Sequence, residues 1–129
     1  SGRMELKEVL MKARSIDTHA HVVLAETEGA AGAYGPEVLF DGEVPIYRIG
    51  KYRLRGVQYR GSAFMDLQVR LKRMDQAGLD VQVLTPNPLT YFHYIEPAAA
   101  LAFSRIHNDA LATIVRQQLT QKSLHKNHP

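Results

Sequence analysis

The chain has 129 residues, 45% of them hydrophobic and 22% charged, with no cysteine and a formal net charge of +3. That balance suits one domain with one modest core, and it excludes a wholly disordered chain, a disulfide scaffold and a thiolate metal site. No apolar run approaches a membrane span and no charged-then-apolar leader opens the chain; the lack of cysteine is compatible with a reducing compartment, and a cytoplasmic location is expected.

Ser1, Gly2 and Arg3 precede Met4 and read as a cloning remnant. Positions 4–14 are expected to form a short helix, because Leu6, Val9, Leu10 and Ala13 make one apolar stripe. At 15–23 the period changes to the alternating, β-branched pattern of a strand. Positions 26–36 hold Gly29, Gly32, Gly35 and Pro36 and read as a loop. Val38-Leu39-Phe40 and Glu43-Val44-Pro45-Ile46-Tyr47 flank Asp41-Gly42, a hairpin signal with both turn residues tolerant of positive φ. Pro45 cannot donate to a ladder, so its strand is expected at an edge. A further strand is expected between 47 and 59, with Gly50 and Gly56 as breaks. The antiparallel insertion thus spans about 37–60.

A helix follows at 62–78, carried by Leu67, Leu71 and Met74 and closed by Gly78. Positions 80–85 read as a strand stopped by Pro86 and Pro88. Pro97 opens a last helix to about 117, with a stripe of Ala99, Phe103, Ile106, Ala110 and Ile114. Strands alternating with helices indicate parallel β/α units. The domain is therefore expected over 4–117, with 118–129 a polar, disordered tail.

His19 and His21 are the sharpest chemical feature. On a strand, residues i and i+2 face the same way. Both imidazoles can then reach one divalent ion, at roughly 2.0–2.1 Å for zinc. Asp17 precedes them by two residues and is placed to support them from below. The site would lie at the strand's C-terminal end, where β/α enzymes keep their chemistry. Of the other histidines, His93 sits in a loop suited to a site, His107 reads as a boundary residue beside a helix stripe, and His125 and His128 fall in the tail.

Eight of the 16 Lys and Arg lie between Arg48 and Arg73, where Asp66 is the only acid. Two readings stand for this cluster: binding of an anionic ligand, or protection of an edge strand against pairing.

Ile16-Asp17-Thr18-His19-Ala20-His21 resembles the opening strand motif of the amidohydrolase superfamily. Met74-Asp75-Gln76-Ala77-Gly78-Leu79-Asp80-Val81-Gln82-Val83-Leu84 resembles a segment of its aminocarboxymuconate semialdehyde decarboxylase branch, as does Asn108-Asp109-Ala110-Leu111-Ala112. Phe40-Asp41-Gly42 before a basic strand matches that branch's hairpin insertion. The resemblance runs from 16 to 116. It implies an α/β fold: the first two β/α units of a TIM-type (β/α)8 barrel with an inserted hairpin, incomplete in a chain this short and therefore oligomeric.

The same resemblance implies one divalent metal, zinc by preference, with His19 and His21 as its first two ligands. It implies a carboxylated small-molecule substrate, held by Arg55 or Arg60, in a pocket lined by Phe92 and His93. The family's further ligands come from later strands, and a whole barrel needs roughly 250 residues. The expected function is thus that of an N-terminal fragment of a metal-dependent hydrolase or decarboxylase, inactive on its own. The alternative is a non-catalytic oligomeric remnant of the same fold. A third reading is a nucleic-acid module in which Tyr47, Tyr52 and Tyr59 stack on bases beside the arginines, and it is the least favoured.

Overall fold

Two sheets divide the protein, and a computed structural model describes residues 5–126 of it. The helix α1 (Leu6–Lys12) leads into strand β1 (Ile16–Val22). Strands β2 (Glu37–Asp41), β3 (Val44–Ile49) and β4 (Tyr52–Arg55) follow a glycine-rich loop. Helix α2 (Leu67–Ala77), strand β5 (Val81–Pro86) and helix α3 (Pro97–Lys126) complete the order. β1 and β5 pair in parallel, and β2, β3 and β4 form a separate antiparallel sheet in that order. The fold is thus mixed α/β, with the hairpin region inserted between the two parallel strands.

Parallel pairing of β1 and β5 needs a long crossover, which the insertion and α2 supply. α2 starts later than its periodicity suggests. The Asp66 carboxylate accepts from the amides of Gln68 and Val69 at 3.0 and 3.3 Å and fixes the N-terminus there. Gly78 ends the helix at φ 72°, the left-handed conformation that favours glycine. The two parallel strands are clasped at their starts, where the Asp80 carboxylate accepts from the amide of Arg14 at 2.8 Å and the Ser15 hydroxyl donates to the Gly78 carbonyl at 2.6 Å.

Three expectations about the insertion and the last helix are corrected. The hairpin turn lies one residue later than expected: Asp41 pairs with Val44, and only Gly42 of the two central residues has positive φ. That arrangement suits a turn with glycine at its first central position. β3 is the central strand in spite of Pro45. Pro45 pairs with Phe40, and its carbonyl accepts from Gly56 just beyond the end of β4, so its missing N–H falls where the ladder has already stopped. α3 continues to Lys126 instead of ending near 117. No glycine or proline interrupts that stretch, and its Gln, Leu and Lys residues are good helix formers. Ser1–Arg3, Asn127 and His128 lie outside the described residues.

The core joins the insertion to the start of α3. Val23, Ala31, Tyr47, Ile49, Tyr59, Phe92 and Phe103 form one buried cluster. Tyr47 meets Tyr59 edge-on at 4.6 Å, and Phe92 meets Phe103 at 5.0 Å. The buried face of α3 runs through Phe103 and His107, spaced one turn apart, whereas Ile106 is exposed. On the other side of the protein, α1, α2, β5 and α3 enclose an open groove of about 350 Å³, lined by Leu6, Val9, Leu71, Met74, Val83 and Leu111. Among the described residues, no helix is long and apolar enough to cross a membrane.

Candidate metal centre

Strand geometry brings His19 and His21 together as their spacing predicts. Their Nε2 atoms face each other at 3.1 Å, and the rings meet edge-on with centroids 4.8 Å apart. His19 is exposed and His21 half-buried, so the pair opens to solvent from the C-terminal half of β1. Two nitrogens bound to one tetrahedral zinc at 2.0–2.1 Å would lie about 3.3 Å apart. The Nε2 separation therefore matches two adjacent ligand positions on such an ion.

The far side of His21 is fixed by β5. Its Nδ1 lies 3.1 Å from the Pro86 carbonyl and 3.0 Å from the Thr85 hydroxyl. A carbonyl only accepts, so Nδ1 carries the proton and donates. The Thr85 hydroxyl donates to the Ala20 carbonyl at 3.3 Å, which leaves its lone pairs turned to the imidazole. With Nδ1 protonated, His21 Nε2 carries a lone pair and accepts from His19 Nε2–H across the 3.1 Å gap, a proton that His19 must shift to Nδ1 before both nitrogens can hold one ion. A second hydrogen bond that fixes the tautomer is what a metal-binding histidine requires.

Asp17 supports the site, but not by lying beneath the imidazoles. The parallel ladder gains one residue on β1 between Asp17 and Ala20. Such bulges re-aim side chains next to functional sites. Across it, Asp17 Oδ1 accepts from the His19 amide at 3.0 Å, and Asp17 Oδ2 accepts from the Gln82 side chain at 3.1 Å. Gln82 in turn accepts from Arg70 at 3.0 Å, and Arg70 also donates to the His21 carbonyl at 2.7 Å. Arg70 is buried, and its burial lowers the guanidinium's affinity for its proton while the Asp17 charge opposes that effect. A network of Arg70, Gln82 and Asp17 therefore holds the backbone on both sides of His19.

The remaining residues expected at the site have other partners. Among the described residues, none of Arg55, Arg60, Phe92 and His93 makes a hydrogen bond, ion pair or ring contact with either histidine. Arg55 pairs with Asp41 at 3.1 Å and Arg60 with Glu28 at 2.7 Å. Arg48, from the same basic stretch, pairs with Glu37 at 3.1 Å and holds that carboxyl below its usual range. Three of the eight cations in the basic stretch thus find acids in the preceding loop and strand. Phe92 is only 1% exposed and belongs to the core, at φ 53°. Its ring packs against Phe103 in the core cluster. His93 is exposed and touches Tyr94. Tyr47 and Tyr59 are core residues as well, so two of the three aromatics proposed for base stacking cannot reach a base.

Among the described residues, no group of three or more His, Cys, Asp or Glu side chains is placed to hold a metal ion. The pair is half a coordination sphere. Thr85, Pro86, Gln82 and Arg70 are the parts that sequence reasoning did not assign. Only the position of Thr85 and Pro86, at the end of the neighbouring strand, hints at their role. Comparison with protein-family models and with curated proteins finds no match for this chain.

Proposed function

We propose that this chain is the ligand-bearing opening segment of a metal-dependent hydrolase or decarboxylase of the amidohydrolase type, acting on carboxylated small molecules in the cytoplasm. The observation that carries the reading is the facing pair of Nε2 atoms, 3.1 Å apart, with His21 Nδ1 anchored on β5. The parallel order β1, α2, β5 agrees with the first two β/α units of a (β/α)8 barrel. His19 and His21 would hold a divalent ion, zinc by preference for two imidazoles. Such an ion, when bound, lowers the pKa of water or polarises a carbonyl. Thr85 and Pro86 orient one ligand, and Arg70, Gln82 and Asp17 hold the strand. Arg55 and Arg60 already hold Asp41 and Glu28 through one nitrogen each, and both keep exposed donors for a substrate carboxylate.

With two ligands in hand the segment alone is expected to be inactive, because a catalytic zinc takes three protein ligands. The same shortfall favours a second reading, a non-catalytic oligomeric relative of this fold. Calorimetric titration with zinc tests the metal reading. Saturable binding that disappears in His19→Ala supports it. Binding no tighter than in a His19→Ala/His21→Ala double variant overturns it.

A further inference from the structure

We infer that two copies of this chain share one divalent cation, each giving His19 and His21, so that a four-imidazole centre forms across a two-fold axis. The inference rests on the metal reading above and adds the partner that completes the site.

Supply and demand at the site lead there. Each copy offers two Nε2 atoms at 3.1 Å, one of them held by Pro86 and Thr85. Structural zinc is almost always four-coordinate. Among the described residues no third protein ligand stands beside the pair. The acid closest in sequence, Asp17, has one oxygen on the His19 amide and the other on Gln82. Freeing it would unpick the network that holds the strand. Two identical pairs, by contrast, fill four positions once each His19 moves its proton from Nε2 to Nδ1.

Access and symmetry agree. His19 and Thr18 are exposed, and among the described residues the edge of β1 away from β5 carries no strand. The exposed His19 ring is therefore within reach of a second copy. An isologous contact uses the same patch on both copies, so an ion on the axis sees two equivalent imidazole pairs. Imidazole donors suit zinc, copper, nickel and cobalt, and exclude magnesium and calcium as preferred occupants.

Sedimentation velocity and native mass spectrometry during a zinc titration test this directly, with cobalt(II) as the spectroscopic probe of coordination number. The expected result is a dimer that forms at one zinc per two chains, shows a tetrahedral cobalt spectrum, and dissociates with chelator. His19→Ala, His19→Gln and His21→Ala abolish it, and His125→Ala/His128→Ala leaves it intact. A monomer binding one zinc per chain overturns the shared centre while leaving the metal reading in place. Absence of zinc binding removes both. A dimer indifferent to chelator and to His19→Ala, or one lost in the His125→Ala/His128→Ala variant, overturns the inference and places the contact elsewhere.

Discussion

The Arg70 guanidinium donates to the main-chain carbonyl of His21 at 2.7 Å and so pins the candidate ligand strand to the first turn of α2. Its second donor holds Gln82, which holds Asp17. One buried cation thus ties helix, neighbouring strand and histidine strand together. Arg70→Met keeps most of the apolar stem but orphans two acceptors. It is expected to cost about 2–3 kcal/mol in urea unfolding. Arg70→Lys should recover only part of that, because an ammonium lacks the planar fork that spans both acceptors.

Thr85→Val removes one of the two groups that receive His21 Nδ1–H and keeps the shape of the strand. The Pro86 carbonyl remains. Zinc affinity by calorimetry is expected to fall by about tenfold, the lower end of what loss of a ligand's orienting partner costs. An unchanged affinity would mean that Pro86 alone sets the tautomer.

His107 is 2% exposed, and among the described residues neither of its ring nitrogens finds a hydrogen-bond partner. Burial holds its imidazole below the ordinary value. The folded state therefore resists the charged form, and the unfolded chain takes up the proton first. Stability is unaffected above about pH 6.5 and falls as pH drops through that value. The loss levels off once the pH passes the lower folded pKa. His107→Leu should abolish this acid-sensitive component. It should also raise stability at neutral pH by about 1 kcal/mol, since an unpaired buried polar group is removed. Urea unfolding at several pH values checks both.

Two glycines are under different constraints. Gly35 sits at φ 88°, and a Cβ there would come within 2.9 Å of the Arg48 carbonyl. Gly78 also has positive φ, but a Cβ there meets nothing within 4 Å. Gly78→Ala is thus expected to cost about 1 kcal/mol from backbone strain alone. Gly35→Ala should cost clearly more, because the clash is with main chain. Thermal unfolding of the pair separates strain from steric conflict.

The exposed ion pairs of Arg55 and Arg60 should matter little to the fold. Arg55→Ala and Arg60→Ala are each expected to change stability by less than about 1 kcal/mol. Measured loss beyond that in either variant would show that the pair does more than cover the insertion's surface.

Local pattern made part of this protein legible. Alternation around His19 and His21 predicts the strand and the convergence of the rings, because a period of two is a property of the chain itself. The helices α1, α2 and α3 follow from their stripes, and their order relative to β1 and β5 gives the α/β class. What stayed hidden depends on partners far along the chain. Nothing near His21 announces Pro86 and Thr85. Arg55 and Arg60 resemble free cations until the loop and strand that carry Glu28 and Asp41 fold back. Pro45 argues for an edge strand only if the ladder extends past it, and β4 stops first. Phe92 lies in an aromatic run that suits a pocket as well as a core, and only the position of Phe103 decides between them.

The pairing of β1 with β5 also has a consequence in time. The contacts that orient His21 join residues 65 positions apart. Loops of that span close slowly, and contacts of that kind form late in folding. During synthesis at about 5–20 residues per second, the histidine strand emerges several seconds before the strand that orients it. In that interval the two imidazoles are attached to an unpaired strand, free to meet metal ions without a fixed tautomer or geometry. If the pair holds metal as proposed, exposure to metal during folding, and not only in the finished protein, would decide which ion it meets first.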